Sequence, residues 1–135
     1  MLKKAGFVVA VSVFLILAGC GGTGNVVDQV ISPFAGGYSG TMTYTATSTD
    51  EPIAFTVNAA GAVSGTFTDP DLGLGSFTGT MHDDGSCAGT SLNGATFGTF
   101  TFTLVAGSGS NYTSSNGNFK PGSTTKATTI SVTKA

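Results

Sequence analysis

Between Tyr38 and Val132 the chain keeps alternating an apolar side chain with a threonine or serine. That period of two is what most restricts its fold. Tyr38, Gly40, Met42, Tyr44 and Ala46 fall on one face, and Ser39, Thr41, Thr43, Thr45 and Thr47 on the other. Successive side chains of a strand point to opposite faces, so the pattern predicts strands with one apolar and one hydroxyl face. Ile53, Phe55 and Val57 repeat it, then Val63, Gly65 and Phe67, then Phe77, Gly79 and Met81, then Phe100, Phe102 and Leu104. Asn58-Ala59-Ala60-Gly61, Asp69-Pro70-Asp71-Leu72-Gly73, Asp83-Asp84-Gly85 and Leu92-Asn93-Gly94 read as turns between them. Residues Gly107 to Asn118 read as a loop with a short strand at Tyr112. Strands around Phe119 and through Ile130 and Val132 follow. The expectation is an all-β domain of seven to nine short strands with no helix.

Consecutive strands joined by short turns predict an antiparallel up-and-down meander. Closing it into a barrel of about eight strands removes the exposed edges that invite aggregation. A β-sandwich is the alternative, and periodicity does not separate the two. A membrane-spanning barrel needs an outward apolar band, and here the second face is Thr and Ser. A small residue, Gly and Thr recur as Ser39-Gly40-Thr41, Ser64-Gly65-Thr66, Thr78-Gly79-Thr80 and Ala88-Gly89-Thr90, with Phe97-Gly98-Thr99 a looser copy. Glycine inside a strand marks a bend or a close approach by another group.

The N-terminus is different in kind. Lys3 and Lys4 precede an apolar run, Ala5 to Ala18, of about 14 residues. A bilayer-spanning helix needs roughly 20, so the pattern reads as a secretory signal helix. It ends in Leu17-Ala18-Gly19-Cys20. This tetrapeptide resembles the lipobox of bacterial lipoproteins at every position. The resemblance implies cleavage between Gly19 and Cys20, diacylglycerol on the Cys20 thiol, and acylation of the new amino group by a chain such as palmitate. Two or more acyl chains anchor stably where one does not. Gly21 stands where an aspartate marks inner-membrane retention in that family, so the resemblance favours the outer membrane in a Gram-negative cell. The expected organisation is a signal peptide over 1–19, a lipidated cysteine and flexible tether over 20–33, and a β domain over 34–135. The runs Tyr38-Ser39-Gly40-Thr41 and Phe77-Thr78-Gly79-Thr80, with their neighbours in 36–105, also look like many small Gly/Thr-rich bacterial lipoproteins built of β-hairpins. That resemblance carries a fold and no activity.

Composition excludes partners more readily than it names them. Removing the 19 signal residues from 135 leaves 116, with three lysines (Lys120, Lys126, Lys134), no arginine and seven acids, a formal charge of −4. Nucleic-acid binding needs clustered cations to neutralise phosphates, and adhesion to anionic lipid heads needs a basic patch. Neither is present. If Cys20 is lipidated, Cys87 has no partner, and its place in the alternation suits a small buried hydrophobe.

Catalytic material is sparse. His82 is the sole histidine and Glu51 the sole glutamate; His82 reads as a strand-end residue entering the Asp83-Asp84-Gly85 turn. Asp69, Asp71, Asp83 and Asp84 supply the oxygen ligands calcium favours. However, Asp69-Pro70-Asp71-Leu72-Gly73 lacks the later ligands of a calcium loop, and aspartate is an ordinary turn residue. The sequence therefore predicts no catalytic residue, no cofactor and no metal, with Cys20 as the attachment site. The expected function is a membrane-anchored, non-enzymatic envelope protein with a structural or partner-binding role. A small-ligand carrier of lipocalin-like type is the alternative, and it would need an open cavity. A core filled by Phe55, Phe67, Phe77, Phe100 and Phe102 is expected instead.

Overall fold

A computed structural model describes residues 31–135. The segment expected to be a signal peptide, the expected lipidation site Cys20 and tether residues 21–30 lie outside the described residues. The strands are β1 (Gly36–Tyr44), β2 (Thr49–Val57), β3 (Ala62–Asp69), β4 (Gly73–Met81), β5 (Ser86–Asn93), β6 (Thr96–Thr103), β7 (Val105–Ala106), β8 (Asn111–Pro121) and β9 (Lys126–Lys134). Strands β1 to β6 pair in sequence order, β1 also pairs β9, and β9 pairs β8. An antiparallel β6–β8 pairing, Gly98 opposite Pro121 through Thr101 opposite Asn118, completes the ring. The fold is thus a closed eight-stranded barrel with β7 as a short extra strand, and closure rules out the sandwich.

Antiparallel order sorts the turns into two rims. The β1–β2, β3–β4, β5–β6 and β8–β9 turns form the upper rim. The β2–β3 and β4–β5 turns, the 107–110 connection and the C-terminus form the lower rim. The chain is already fastened to the lower rim at Ser32, which is buried and donates its N–H to the Ala59 carbonyl at 2.8 Å.

The apolar face of the alternation points inward. Tyr38, Met42, Tyr44, Ile53, Phe55, Val57, Val63, Phe67, Phe77 and Met81 are buried, as are Phe100, Phe102, Leu104, Phe119, Ile130 and Val132. All five phenylalanines expected inside are there. Their rings form a connected stack along the axis. Tyr38 stacks on Phe55 at 4.9 Å, Phe55 meets Phe77 and Phe102, and Phe100 stacks on Phe119 at 5.4 Å.

The strand glycines make room for these rings. One inward row runs Val63, Gly79, Gly89, Phe100, Phe119 across five adjacent strands. A Cβ on Gly79 would lie 2.9 Å from the Phe100 ring and would also strike the Ala88 backbone. A Cβ on Gly89 would strike Thr78 and would lie 2.5 Å from the Gly79 Cα. The repeat seen in the sequence is thus a packing device, in which bare backbone on some strands leaves room for rings from others.

Two sequence expectations are corrected. Ala46 does not continue the inward face, because β1 stops at Tyr44 and Ala46 is exposed in the turn. The stretch read as a loop through Asn118 is mostly strand, since β8 begins at Asn111. Its alternation is masked because the inward positions are Ser114 and Gly117, with a register shift between them. There the ladder is completed by side chains. The Thr103 N–H donates to Asn116 Oδ1 at 3.0 Å and to Ser114 Oγ at 3.3 Å, and Asn116 Nδ2 donates to Thr103 Oγ1. Leu104 leaves the ladder and donates its N–H to the Gly85 carbonyl at 2.9 Å. Polar residues that look like a loop therefore seal a bulge.

Overpacking a tight core costs about 1–3 kcal/mol. We expect Gly89→Ala to lower unfolding free energy by roughly that amount, measured by urea denaturation, and Thr90→Ala on the outer face to change it by less than about 0.5 kcal/mol.

Candidate functional site

The upper rim holds the one ion-pair cluster among the described residues. Asp69 ends β3 with a fully buried carboxylate. Its Oδ1 accepts from the Asp71 and Leu72 backbone amides at 2.8 and 3.1 Å, which shapes the turn around Pro70. Lys126, the first residue of β9, donates to both Asp69 oxygens at 2.8 and 3.0 Å and to Asp71 Oδ2 at 2.8 Å. The pair therefore ties β3 to β9 across the barrel mouth. Burial resists ionisation of Asp69. The Lys126 ammonium and the two amides outweigh it, holding the carboxyl below the usual carboxylate range. Burial likewise opposes the charge on Lys126, and the bonds to Asp69 and Asp71 reverse that, so its ammonium is held above the ordinary range. Tyr44 lies beneath, donating its hydroxyl to the Thr68 carbonyl at 2.9 Å. Burial, then the charge of Asp69, raises that phenol well above its usual range.

Beside this cluster is a recess of about 450 Å³, lined by Tyr44, Ala46, Pro70, Asp71, Thr125 and Lys126 among others. It opens between the β1–β2, β3–β4 and β8–β9 turns and does not continue into the barrel, whose axis is filled by aromatic rings.

The four aspartates considered for calcium are divided by the fold. Asp69 and Asp71 belong to the upper rim and Asp83 and Asp84 to the lower. Among the described residues no three His, Cys, Asp or Glu side chains converge on one point. Asp69 and Asp71 share the Lys126 ammonium. Asp84 Oδ1 accepts from Ser86 Oγ at 2.6 Å and from the Ser86 N–H at 2.9 Å, and these two bonds hold its carboxyl below the usual range. His82 is exposed and enters the turn, as the sequence suggested, with its N–H donating to the Ser86 carbonyl and its carbonyl accepting from Gly85. Glu51 lies on β2 at the upper rim, apart from His82.

Cys87 points inward from β5 and is buried in the core, where burial pushes its thiol up to about 12. A thiol so raised carries little thiolate near neutrality and is a poor nucleophile. The sequence did not expose the Asp69–Lys126 pair. Its members are 57 residues apart, and only closure of the barrel brings them together.

Removing one member of a buried pair leaves an uncompensated charge, at a cost of about 3–5 kcal/mol. We expect Lys126→Ala to destabilise by about 3 kcal/mol. Because the Asp69 pKa is depressed, its contribution is complete above about pH 4 and is lost as pH falls through the lowered value. Because that of Lys126 is raised, its contribution is lost as pH climbs beyond about 10.5. Asp69→Asn should therefore flatten the acid limb of a stability–pH profile taken by thermal melting. In a Cys20→Ala chain, maleimide should leave Cys87 unmodified under native conditions and modify it fully in denaturant, as read by intact mass.

No protein-family model, curated protein or solved structure matches this chain at a significant level.

Proposed function

We propose that the chain is a lipid-anchored protein of the bacterial envelope, joined to the membrane through Cys20, whose barrel is a non-enzymatic scaffold that meets its partners on its outer surface. The observation that carries the scaffold half of this reading is the filled interior. Phe67, Phe77, Phe100, Phe102 and Phe119 are at most 2% exposed and occupy the axis where a carrier would hold its ligand. The barrel is left with walls and rims to work with. The buried Asp69 carboxylate is satisfied by Lys126 and two backbone amides, and Cys87 is sealed in the core. Both suit structural roles rather than chemistry on a substrate.

The attachment half rests on Leu17-Ala18-Gly19-Cys20 directly after the apolar run. Gly21 in the following position favours the outer membrane where there is one. Ser32, fixed to the lower rim, sets where the tether would leave the domain. From Gly21 to Ile31 the tether spans at most about 40 Å at 3.3–3.6 Å per residue, so the barrel would stand close to the surface. The upper-rim recess favours a second reading, in which a small molecule is carried at the mouth rather than in a lumen.

The test is the intact mass of the protein purified from its native host. We expect a chain beginning at Cys20 with an acyl increment, and a Cys20→Ala variant that lacks the increment and leaves the membrane fraction. A wild-type mass matching an unmodified chain would remove the anchor from the proposal.

A further inference from the structure

The charges of the barrel are unevenly placed. Strands β4, β5 and β6 contain no Asp, Glu, Lys, Arg or His, and none occurs anywhere from residue 85 to 119. Their outer faces form one uncharged wall. Thr78, Thr90 and Thr99 are exposed and stand opposite one another across the three strands. In the next row toward the upper rim, Ser76, Leu92 and Phe97 are paired in the same way. Leu74 lies diagonal to Leu92. Phe97 is 74% exposed and Leu74 70%, so the row ends in a ridge of unsatisfied apolar surface. Beside the ridge is a shallow trough of about 220 Å³, floored by Phe77 and Ser91 and bordered by Ser76, Thr90 and Phe97. It has room for one aromatic ring.

We propose that this wall is the contact surface of a homodimer, with a second copy of the chain as its occupant. Two observations select a copy over a foreign partner. The wall offers no charge with which to steer or select a different protein, whereas an uncharged face stacks on itself without opposing like charges. It also carries knob and trough together, as an isologous contact requires. A two-fold axis along β5 sets Thr90 and Leu92 against their own copies. It lays Phe97 of each chain over Ser76 and Leu74 of the other, at the trough. The same axis keeps both lower rims, where the chains enter at Ser32, on one side, so both copies could be tethered to one membrane. Strands of eight or nine residues at about 3.3 Å rise and 4.8 Å spacing give a footprint of roughly 400 Å². That is about half of the roughly 800 Å² per partner of a standard interface, the size of a weak dimer.

The proposal rests on the partner-binding half of the reading above and not on the lipid. The two fail separately, since lipidation is read by mass and this contact by crosslinking. Facing sheets lie about 10 Å apart, beyond the reach of a disulfide, so a short bismaleimide is the probe. The full chain carrying Cys20→Ala with Thr90→Cys, purified in detergent, should crosslink to a dimer at least tenfold more efficiently than one carrying Cys20→Ala with Ser131→Cys, an exposed position on β9. Adding Phe97→Lys should cut the Thr90→Cys yield at least tenfold with the melting temperature unchanged, and Leu74→Lys should do the same. Equal crosslinking at 90 and 131, no dimer at 90, or indifference to both lysines would each overturn the proposal.

Discussion

The structure depends on the fit of aromatic rings against bare backbone. A small closed barrel has a fixed interior, and eight strands leave a width that side chains just fill. Here that space is filled by phenylalanines, and a ring of that size fits only where its neighbours give way. Gly79 gives way to Phe100, and Gly65 sits between Phe55 and Phe77 on adjacent strands. The alternative, smaller side chains at every inward position, would bury less apolar area per strand. In a domain without a disulfide among its described residues, that area is the main source of stability. The glycines cost backbone entropy, and the buried rings offset it.

Closure has consequences beyond the core. It brings residues far apart in sequence to one rim, and it does so with polar groups already committed. Asp69 and Lys126 meet because β3 and β9 run to the same end of the ring. The pair then satisfies the buried carboxylate that the β3–β4 turn requires for its own backbone amides. At the opposite side of the wall, the β6–β8 seam uses Ser114 and Asn116 to bond the Thr103 amide that strand pairing leaves open. In both places a polar side chain does what regular secondary structure cannot.

This explains which parts of the fold were legible in the sequence. The alternation of Tyr38, Met42 and Tyr44, or of Ile53, Phe55 and Val57, reports an inward face because large apolar residues have nowhere else to go. The recurrent Gly-Thr pairs reported close approach because glycine has few other uses inside a strand. The first half of β8 was illegible for the same physical reason in reverse. Ser114 and Gly117 occupy inward positions at a bulge, so the local pattern carries no apolar signal, and its polar residues bond to a strand a dozen residues away. The upper-rim ion pair was illegible because Asp69 looks like any turn aspartate until Lys126 arrives. Leu92, which the sequence places at the start of a turn, is still in β5. The register places Ser91 and Asn93 inward and leaves Leu92 on the outer wall.

That displacement of apolar residues to the outside bears directly on what the barrel can do. A closed ring has no free edge, so another chain cannot add to it as a strand. A filled ring has no lumen, so a ligand cannot enter it. Contact is confined to rims and walls, and the rims hold nearly all the charge, part of it paired at Asp69, Asp71 and Lys126. The wall of β4, β5 and β6 differs from both. Its threonines are exposed, and its leucines and Phe97 leave apolar area that core packing did not need. Exposed apolar groups on adjacent strands that serve no internal packing suit the contact proposed for this wall. In this barrel they fall on the one wall where no charge would be buried by covering them.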